Sequence, residues 1–284
     1  MENLGYYNGV FGPLDEMSIP MNDRVCWFGD GVYDAGPARN GVIFAMDEHV
    51  DRFFRSAAAV DINIPCSKQE LKVLLNELIT KVEGHEHFVY YQVTRGSMVR
   101  KHDYPEGMQG NLWVMIKPQV MPDGKARIQL RSEEDTRFFH CDVKTLNLLP
   151  SVLSSQAAKR EGVFETVYWR PMDGCKRVTE CAHCNVSVLR GGELWTAPLD
   201  NLILPGIARA HLIKACNALG VPVHEEPYCL EDVFSAEEVL VTSSSNLVLF
   251  ADALDGTPVG GKRPELAEAI RAEIHREFSE YTAR

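Results

Sequence analysis

No apolar run in this chain approaches the ~20 residues that a membrane-spanning helix needs, so no span is expected. A basic excess is missing too: 29 Lys and Arg stand against 40 Asp and Glu, a formal net charge of -11. Nucleic-acid binders and riders of anionic membranes want the opposite sign, because both partners carry phosphates. The first residues, MENLGYYNGVFGPLDEM, lack a charged lead followed by an apolar core. Export is therefore not expected, and the cytoplasm is the expected compartment. There is no internal repeat and no low-complexity tract. A second closely spaced cysteine pair is also lacking. Structural zinc commonly takes two such pairs, or one pair plus two histidines. The pair Cys181 and Cys184 stands alone, with Cys175 as its only near neighbour. A thioredoxin-like dithiol would open a helix after a strand, whereas this pair precedes a strand. No metal is expected, and all eight cysteines are expected to be reduced thiols. A small thiol- or zinc-binding protein centred on Cys181 and Cys184 stays open as a reading of another class.

What is present reads as a soluble globular chain. It has 284 residues, 45% apolar and 24% charged, enough for two modest domains or one large one. Residues 47–60 read as a helix with Val50, Phe53, Phe54 and Ala57 on one stripe and Arg52 and Arg55 off it. A second helix follows Ser67, which makes a capping box with Glu70 ahead of Leu71, Leu74, Leu75, Leu78 and Val82. HFVYYQVTRG and NLWVMIKP read as strands. KPQVMPDGKAR, with two prolines and no helical stripe, is the linker candidate. Beyond it come a strand RIQLRSE, a helix over 151–161, strands VFETVYWR, EEVLVTSSSN and LVLFADALDG, and a hairpin turning at Gly191-Gly192. A Pro-Gly turn opens a helix ending near Leu219, and a last helix runs from Pro264 to about Phe278. Strands cluster with few helices between them. This points to α+β with mainly antiparallel sheet.

Several segments could carry chemistry. Lys144 is flanked by Val143, Leu146, Leu148 and Leu149. An amine held in apolar surroundings is costly to charge, and a neutral amine attacks carbonyls; a lysine that snorkels to solvent is the plainer reading. LPGIARAHL could offer its amides to a phosphate at the helix start, or be an ordinary helix entry. Three hydroxyls in VTSSSN could join them, or simply form a loop. Arg52 could meet a phosphate or belong to a solvated face. Arg100 and His102, two apart in one loop, could trap a carboxylate.

In order, NDRVCWFGDGVYDA, EHVDRFFRSA, YYQVTRGSMVRKH, CDVKTLNLLPSVLSSQAAKREG, VTECAHCNV, LILPGIARAHL and VTSSSN resemble the fold-type IV (class IV) pyridoxal-phosphate aminotransferases. Their spacing is most similar to the D-amino acid transaminase branch. The resemblance runs from about residue 6 to the last helix. It implies a small N-terminal α/β sandwich domain (1–119), a linker (120–125) and a larger C-terminal pseudo-barrel domain (126–284) carrying the cofactor lysine. It implies pyridoxal 5′-phosphate bonded to Lys144, which would also shuttle the substrate proton. Glu180 would face the pyridine nitrogen, and Leu204 the ring. Arg52, the amides of Ile207 and Ala208 and the hydroxyl of Ser244 would hold the phosphate. Tyr33, Arg100 and His102 would bind the substrate carboxylate, with Ser243 and Ser245 near it. Arg100 and His102 would come from the second subunit of a homodimer.

The implied reaction is transamination between a D-amino acid, D-alanine foremost, and a 2-oxo acid, 2-oxoglutarate foremost. The same scaffold serves branched-chain L-amino acid and (R)-amine transaminases and aminodeoxychorismate lyase, which stay open. This chain departs from the family pattern in having Ala182-His183-Cys184 where small hydroxyl residues are usual, Ser187 for an aromatic residue, Ala208 for Thr and Asp34 for Glu.

Overall fold

The computed structural model describes residues 1–172 and 174–283. Contacts divide the chain into two compact units. The first takes Met1–Met121, the short segment Val143–Asn147 and the chain from Phe278; the second takes Pro122–Asp142 and Leu148–Glu277. The boundary at Met121 lies in the stretch 119–126, which no helix or strand interrupts. The lysine segment thus belongs by its contacts to the first unit, although it lies well past that boundary in sequence.

The first unit contains β1 (Leu4–Tyr7), β2 (Val10–Gly12), the short helix α1 (Val25–Phe28), β3 (Gly31–Arg39), β4 (Val42–Ile43), α2 (Met46–Ala59), α3 (Lys68–Ile79), β5 (Glu86–Thr94) and β6 (Asn111–Pro118). Its six strands run β2-β1-β6-β5-β3-β4, each antiparallel to its neighbours. Helix α2 packs on β3 and α3 on β6. The expected stripe of α2 is the buried one: Val50, Phe53 and Ala57 are sealed in the core, with Phe54 at its margin. Leu71, Leu75 and Leu78 of α3 join them against Val89, Tyr91, Val93, Val114 and Ile116. Each of these larger side chains contributes about 1.5–3 kcal/mol by leaving water. The capping box starts α3 as expected: Ser67 Oγ accepts the Glu70 N–H (3.2 Å) and Glu70 Oε2 accepts the Ser67 N–H (2.8 Å).

The second unit contains β7 (Arg127–Glu134), α4 (Leu149–Glu161), β8 (Glu165–Met172), β9 (Cys175–Cys181), β10 (Asn185–Arg190), β11 (Glu193–Thr196), α5 (Ile207–Ala218), β12 (Val223–Glu225), α6 (Leu230–Ser235), β13 (Glu238–Ser243), β14 (Leu247–Leu254), β15 (Thr257–Pro258) and α7 (Pro264–Tyr281) up to Glu277. Its strands follow the order β12-β11-β10-β13-β14-β7-β8-β9, with β15 on β14. Three pairs are parallel, β11·β12, β14·β7 and β7·β8, and the other five antiparallel. The sheet curls, because the Cys181 N–H donates to the Cys184 carbonyl (2.8 Å) and brings the end of β9 against β10. The β10–β11 hairpin turns at Gly191 and Gly192 as expected. Their φ values of 59° and 78° are those of a type I′ turn, which side chains disfavour.

One expectation is corrected here. Cys175 and Cys229 form a disulfide across 54 residues of chain, with Cα atoms 6.1 Å apart. The other six cysteines are thiols. The bond follows from topology: Arg177 and Cys229 form a β-bridge, and Val178 N–H donates to the Tyr228 carbonyl, so the two cysteines face each other. Cys175 is therefore not available to join Cys181 and Cys184 around a metal. Among the described residues, no helix is long and apolar enough to cross a membrane.

Candidate active site

Within the first unit, the lysine segment is stitched to the edge of β3. The Tyr33 N–H donates to the Lys144 carbonyl (2.9 Å), the Leu146 N–H to the Gly31 carbonyl (3.0 Å), and Val32 and Thr145 form a β-bridge. The Lys144 N–H donates to Ser56 Oγ of α2 (3.1 Å). The Lys144 ammonium lies 4.3 Å from the centre of the Tyr33 ring, which itself stacks on Tyr90 at 5.3 Å. An aromatic face this close attracts the cation. The apolar jacket expected around Lys144 is only partly there. Val143 is buried, but Leu149 is 70% exposed.

Arg52 is not on a solvated face. It is buried and pairs with Asp34 of β3, which is fully buried. Arg52 Nε donates to Asp34 Oδ2 and Nη2 to Oδ1, both at 2.8 Å. Oδ1 also receives the Ala35 N–H (2.8 Å) and lies 2.7 Å from His49 Nδ1. Burial alone would push the Asp34 carboxyl up. Arg52 and His49 overcome that and hold it well below the usual carboxylate range. Burial pushes His49 down from its ordinary value, against the pull of Asp34. A ring whose Nδ1 faces an ionised, acceptor-only carboxylate carries a proton on that nitrogen. Along α2, His49, Arg52 and Ser56 are all buried, forming a polar stripe beside the apolar one.

In the second unit, Glu180 sits near the end of β9 and is buried. Arg137 Nη1 donates to its Oε1 (2.7 Å), while Oε2 accepts Asn185 Nδ2 (2.9 Å) and the Leu204 N–H (3.0 Å). Burial pushes the carboxyl up from its ordinary value, against the opposing pull of Arg137 and the Leu204 amide. Arg137 is fixed in turn by Asp135, whose two oxygens accept its Nε and Nη2 at 3.0 Å. Asp135 also receives Arg170 Nε and Thr179 Oγ1, both at 3.1 Å. The structure thus places Glu180 at the end of a charge-relayed array of four side chains. Arg137 and Asn185 carry no motif in sequence. The alternation of Asp135 and Arg137 two residues apart was the one available signal.

Asn185 Nδ2 also donates to the Leu204 carbonyl (3.0 Å), so one amide ties Glu180 to the turn before α5. Gly206 caps that helix, and a Cβ there would collide with Asn185 Oδ1. Ile207 and Ala208 follow, buried, and their amides lie in the first turn, where backbone donors have no partner within the helix. Helix α5 packs on β13 and β14, whose connection is the serine turn. Ser243 and Ser245 face each other there at 3.2 Å, both within reach of Asn246 Nδ2, and Ser244 stands between them half-buried. Just before them, Thr242 Oγ1 is buried without a hydrogen bond. Leu247 closes the turn at φ 57°, a conformation that costs a bulky residue about 1–3 kcal/mol and marks a strained site. Helix amides, the serine hydroxyls and one unsatisfied buried hydroxyl are donors of the kind that a phosphate takes.

Arg100 and His102 gather on Phe28 rather than on Tyr33. The guanidinium lies 5.1 Å from the Phe28 ring centre, and the imidazole ring centre is also 5.1 Å from it. Both residues are exposed on their unit. Arg24, missed in sequence, fixes their loop. It donates to the carbonyls of Lys101 (2.6 Å) and His102 (3.0 Å) while its Nε meets Asp30 (2.6 Å).

Residues 31–253 match the family described as amino-transferase class IV. The chain belongs to the class IV aminotransferases. It is similar to a D-alanine aminotransferase of Listeria monocytogenes serotype 4b (strain F2365), 36% identical over 273 residues that span 94% of this chain and 91% of the relative. A D-alanine aminotransferase of Bacillus licheniformis is 32% identical, with 98% of each chain covered. In fold, the chain is similar to the branched-chain amino acid aminotransferase from Escherichia coli, with a TM-score of 0.87 and 22% identity over 100% of this chain and 95% of that one. It is also similar to a T.th. branched-chain amino acid aminotransferase with pyridoxamine 5′-phosphate, at a TM-score of 0.88 and 21% identity over 99% and 94% of the two chains. Class IV aminotransferases use pyridoxal 5′-phosphate. Each unit by itself offers groups of the kind that such a cofactor takes: an amine and a guanidinium in the first, a buried carboxylate and hydroxyl and amide donors in the second.

Proposed function

We propose that this aminotransferase moves an amino group between a D-amino acid, D-alanine foremost, and a 2-oxo acid, 2-oxoglutarate foremost, giving pyruvate and D-glutamate. The observation that carries the reading is the exposed pair of Arg100 and His102, two donors gathered on one ring in a loop that Arg24 holds. A forked guanidinium beside an imidazole grips a carboxylate and fixes its orientation. The orientation of the carboxylate decides which face of the substrate Cα meets the amine, and so which enantiomer reacts. The near full-length likeness to proteins named D-alanine aminotransferase supports the same choice.

Lys144 carries the cofactor and moves the substrate's Cα proton. Pyridoxal 5′-phosphate supplies the electron sink that makes this proton acidic. Glu180, held by Arg137 and Asn185, would keep a proton on the ring nitrogen, and Leu204 would contact the ring. Arg52, the amides of Ile207 and Ala208 and the hydroxyl of Ser244 hold the phosphate. Tyr33 joins Arg100 and His102 at the substrate carboxylate, and Ser243 and Ser245 line the substrate's place. Arg100 and His102 act across the interface of a homodimer, in keeping with their exposure, and the enzyme works in the cytoplasm.

The test is a panel of D- and L-amino acids with pyruvate and 2-oxoglutarate, reading the chirality of the product. D-glutamate from D-alanine is expected. Arg100→Ala should lower kcat/KM for D-alanine by about 10- to 10²-fold, the loss of one or two hydrogen bonds to a charged group, and leave the cofactor's visible absorbance unchanged. L-glutamate from branched-chain L-amino acids, amine donors without a carboxylate, or pyruvate release without amino transfer would each replace this reading with one of the other activities of the scaffold.

A further inference from the structure

We propose that Glu165, His183 and Cys184 form a binding site for a zinc-class divalent cation. The carboxylate, imidazole and thiol donor atoms all lie within 4.8 Å of one another. Tetrahedral zinc with oxygen, nitrogen and sulfur ligands needs donor pairs about 3.3–3.6 Å apart, from its usual bond lengths. The three groups can therefore close on one ion with movements well under a side-chain length.

The backbone is already arranged for it. Cys181 N–H to Cys184 O closes the turn, and Ala182 N–H donates to the Thr166 carbonyl (3.0 Å), pinning the turn beside the start of β8 where Glu165 sits. Glu165 is fully buried. Its Oε1 accepts the Thr166 N–H (2.7 Å), and its Oε2 is sealed from water. The nearest cationic group to Oε2 is His183 Nδ1, at the ion-pair distance of 2.6 Å. A buried carboxylate oxygen needs a counter-charge; His183 supplies it in the ion pair, and a dication shared by the carboxylate, imidazole and thiolate would supply it more fully. Cys184 is buried beside it, while the His183 side chain is 51% exposed and can swing to admit an ion from solvent.

The donor set also selects the metal. One thiolate and one carboxylate neutralise a dication, and mixed nitrogen, oxygen and sulfur ligation suits zinc and its first-row neighbours rather than magnesium or calcium. On binding, the Cys184 thiol proton and the His183 Nδ1 proton that faces Glu165 both pass to solvent, and sulfur–metal and nitrogen–metal bonds form in their place. Three protein ligands leave a fourth position for water. Cys175 and Cys181 take no part: the first is in the disulfide and the second lies outside the cluster. The plainer use of these groups is an ion pair between His183 and Glu165 alone, and that reading predicts no metal affinity.

Chelator-treated holoenzyme, titrated with cobalt(II) and then zinc(II), distinguishes the two. We expect one cobalt per chain, with the visible d–d bands of a tetrahedral thiolate site lying to the red of the cofactor, and displacement by zinc. His183→Ser, Cys184→Ser and Glu165→Gln should each weaken binding by at least about tenfold, no less than outer-shell changes do. Cys184→Ser should also abolish the sulfur-to-cobalt band. His183 is exposed enough that His183→Ser should fold like the parent, with far-ultraviolet circular dichroism as the check. Absence of a bound equivalent in the parent protein, or binding that survives His183→Ser and Cys184→Ser unchanged, overturns the proposal. The readout is metal affinity, so it does not depend on which amino acid the enzyme transfers.

Discussion

Asp34→Asn is the sharpest test of how the first unit holds its buried charge. Asp34 accepts two hydrogen bonds from Arg52 and one from its neighbour's amide, and pairs with His49, with no exposure to water. The amide keeps the shape and removes the charge. Arg52 then stays buried without its carboxylate, and breaking a buried pair from one side costs about 3–5 kcal/mol. That is a large share of a typical stability of about 5–15 kcal/mol. With a urea slope of about 1–3 kcal/mol per molar, the unfolding midpoint should fall by at least about 1 M. Asp34→Glu restores the charge but adds a methylene to a sealed site, so it should recover only part of the loss, overpacking costing about 1–3 kcal/mol. The pH dependence has a definite sign. Asp34 is held below its ordinary value, so the pair's contribution is complete above the unfolded carboxyl's ~3.9 and is lost only as pH falls through the folded value. The gap between parent and Asp34→Asn should therefore persist at about pH 5 and close only in stronger acid. A midpoint shift under about 0.3 M at neutral pH, or a gap already gone at about pH 6, would refute the assignment.

Arg137→Leu should act through Glu180. Losing the guanidinium removes the main force opposing burial, so the carboxyl moves further up and ionises only at higher pH. The acid limb of the kcat/KM profile should shift to higher pH; an unmoved limb would detach Arg137 from the chemistry. The Cys175–Cys229 bond closes a loop of 54 residues that encloses Glu180, Leu204 and all of α5. Chain entropy assigns such a loop about 4 kcal/mol, so Cys175→Ser with Cys229→Ser, or a reductant, should lower the unfolding midpoint of the oxidised protein. A midpoint indifferent to dithiothreitol would show that the bond does not form in solution.

What could be seen in the sequence was local, and what could not was pairing at a distance. The apolar stripe of α2, the Ser67–Glu70 box and the Gly191–Gly192 hairpin each depend on residues within one or two turns of each other, and each is where the pattern puts it. Strand β3 escaped because GVYDAGPAR does not alternate. It is buried on both faces, and it holds a proline and two glycines that strands usually avoid. The same α2 carried a second, readable signal: His49, Arg52 and Ser56, at i, i+3 and i+7, share a face just as the apolar residues do. Polar residues on such a stripe look like a solvated surface until a buried carboxylate on another element claims them. Asp34 lies 18 residues before Arg52, and Arg137 lies 43 before Glu180. No spacing rule links them, because β3 meets α2, and the segment after β7 meets β9, only through the sheets. The disulfide is the same case at 54 residues. The family resemblance assigns roles to Lys144, Glu180 and Arg52, but the surroundings of each are set by Ser56 and Tyr33, by Arg137 and Asn185, and by Asp34 and His49. The charges on which the proposed reaction would depend are therefore a property of topology, and substitutions at those second partners test the proposal more discriminatingly than substitutions at the lysine itself.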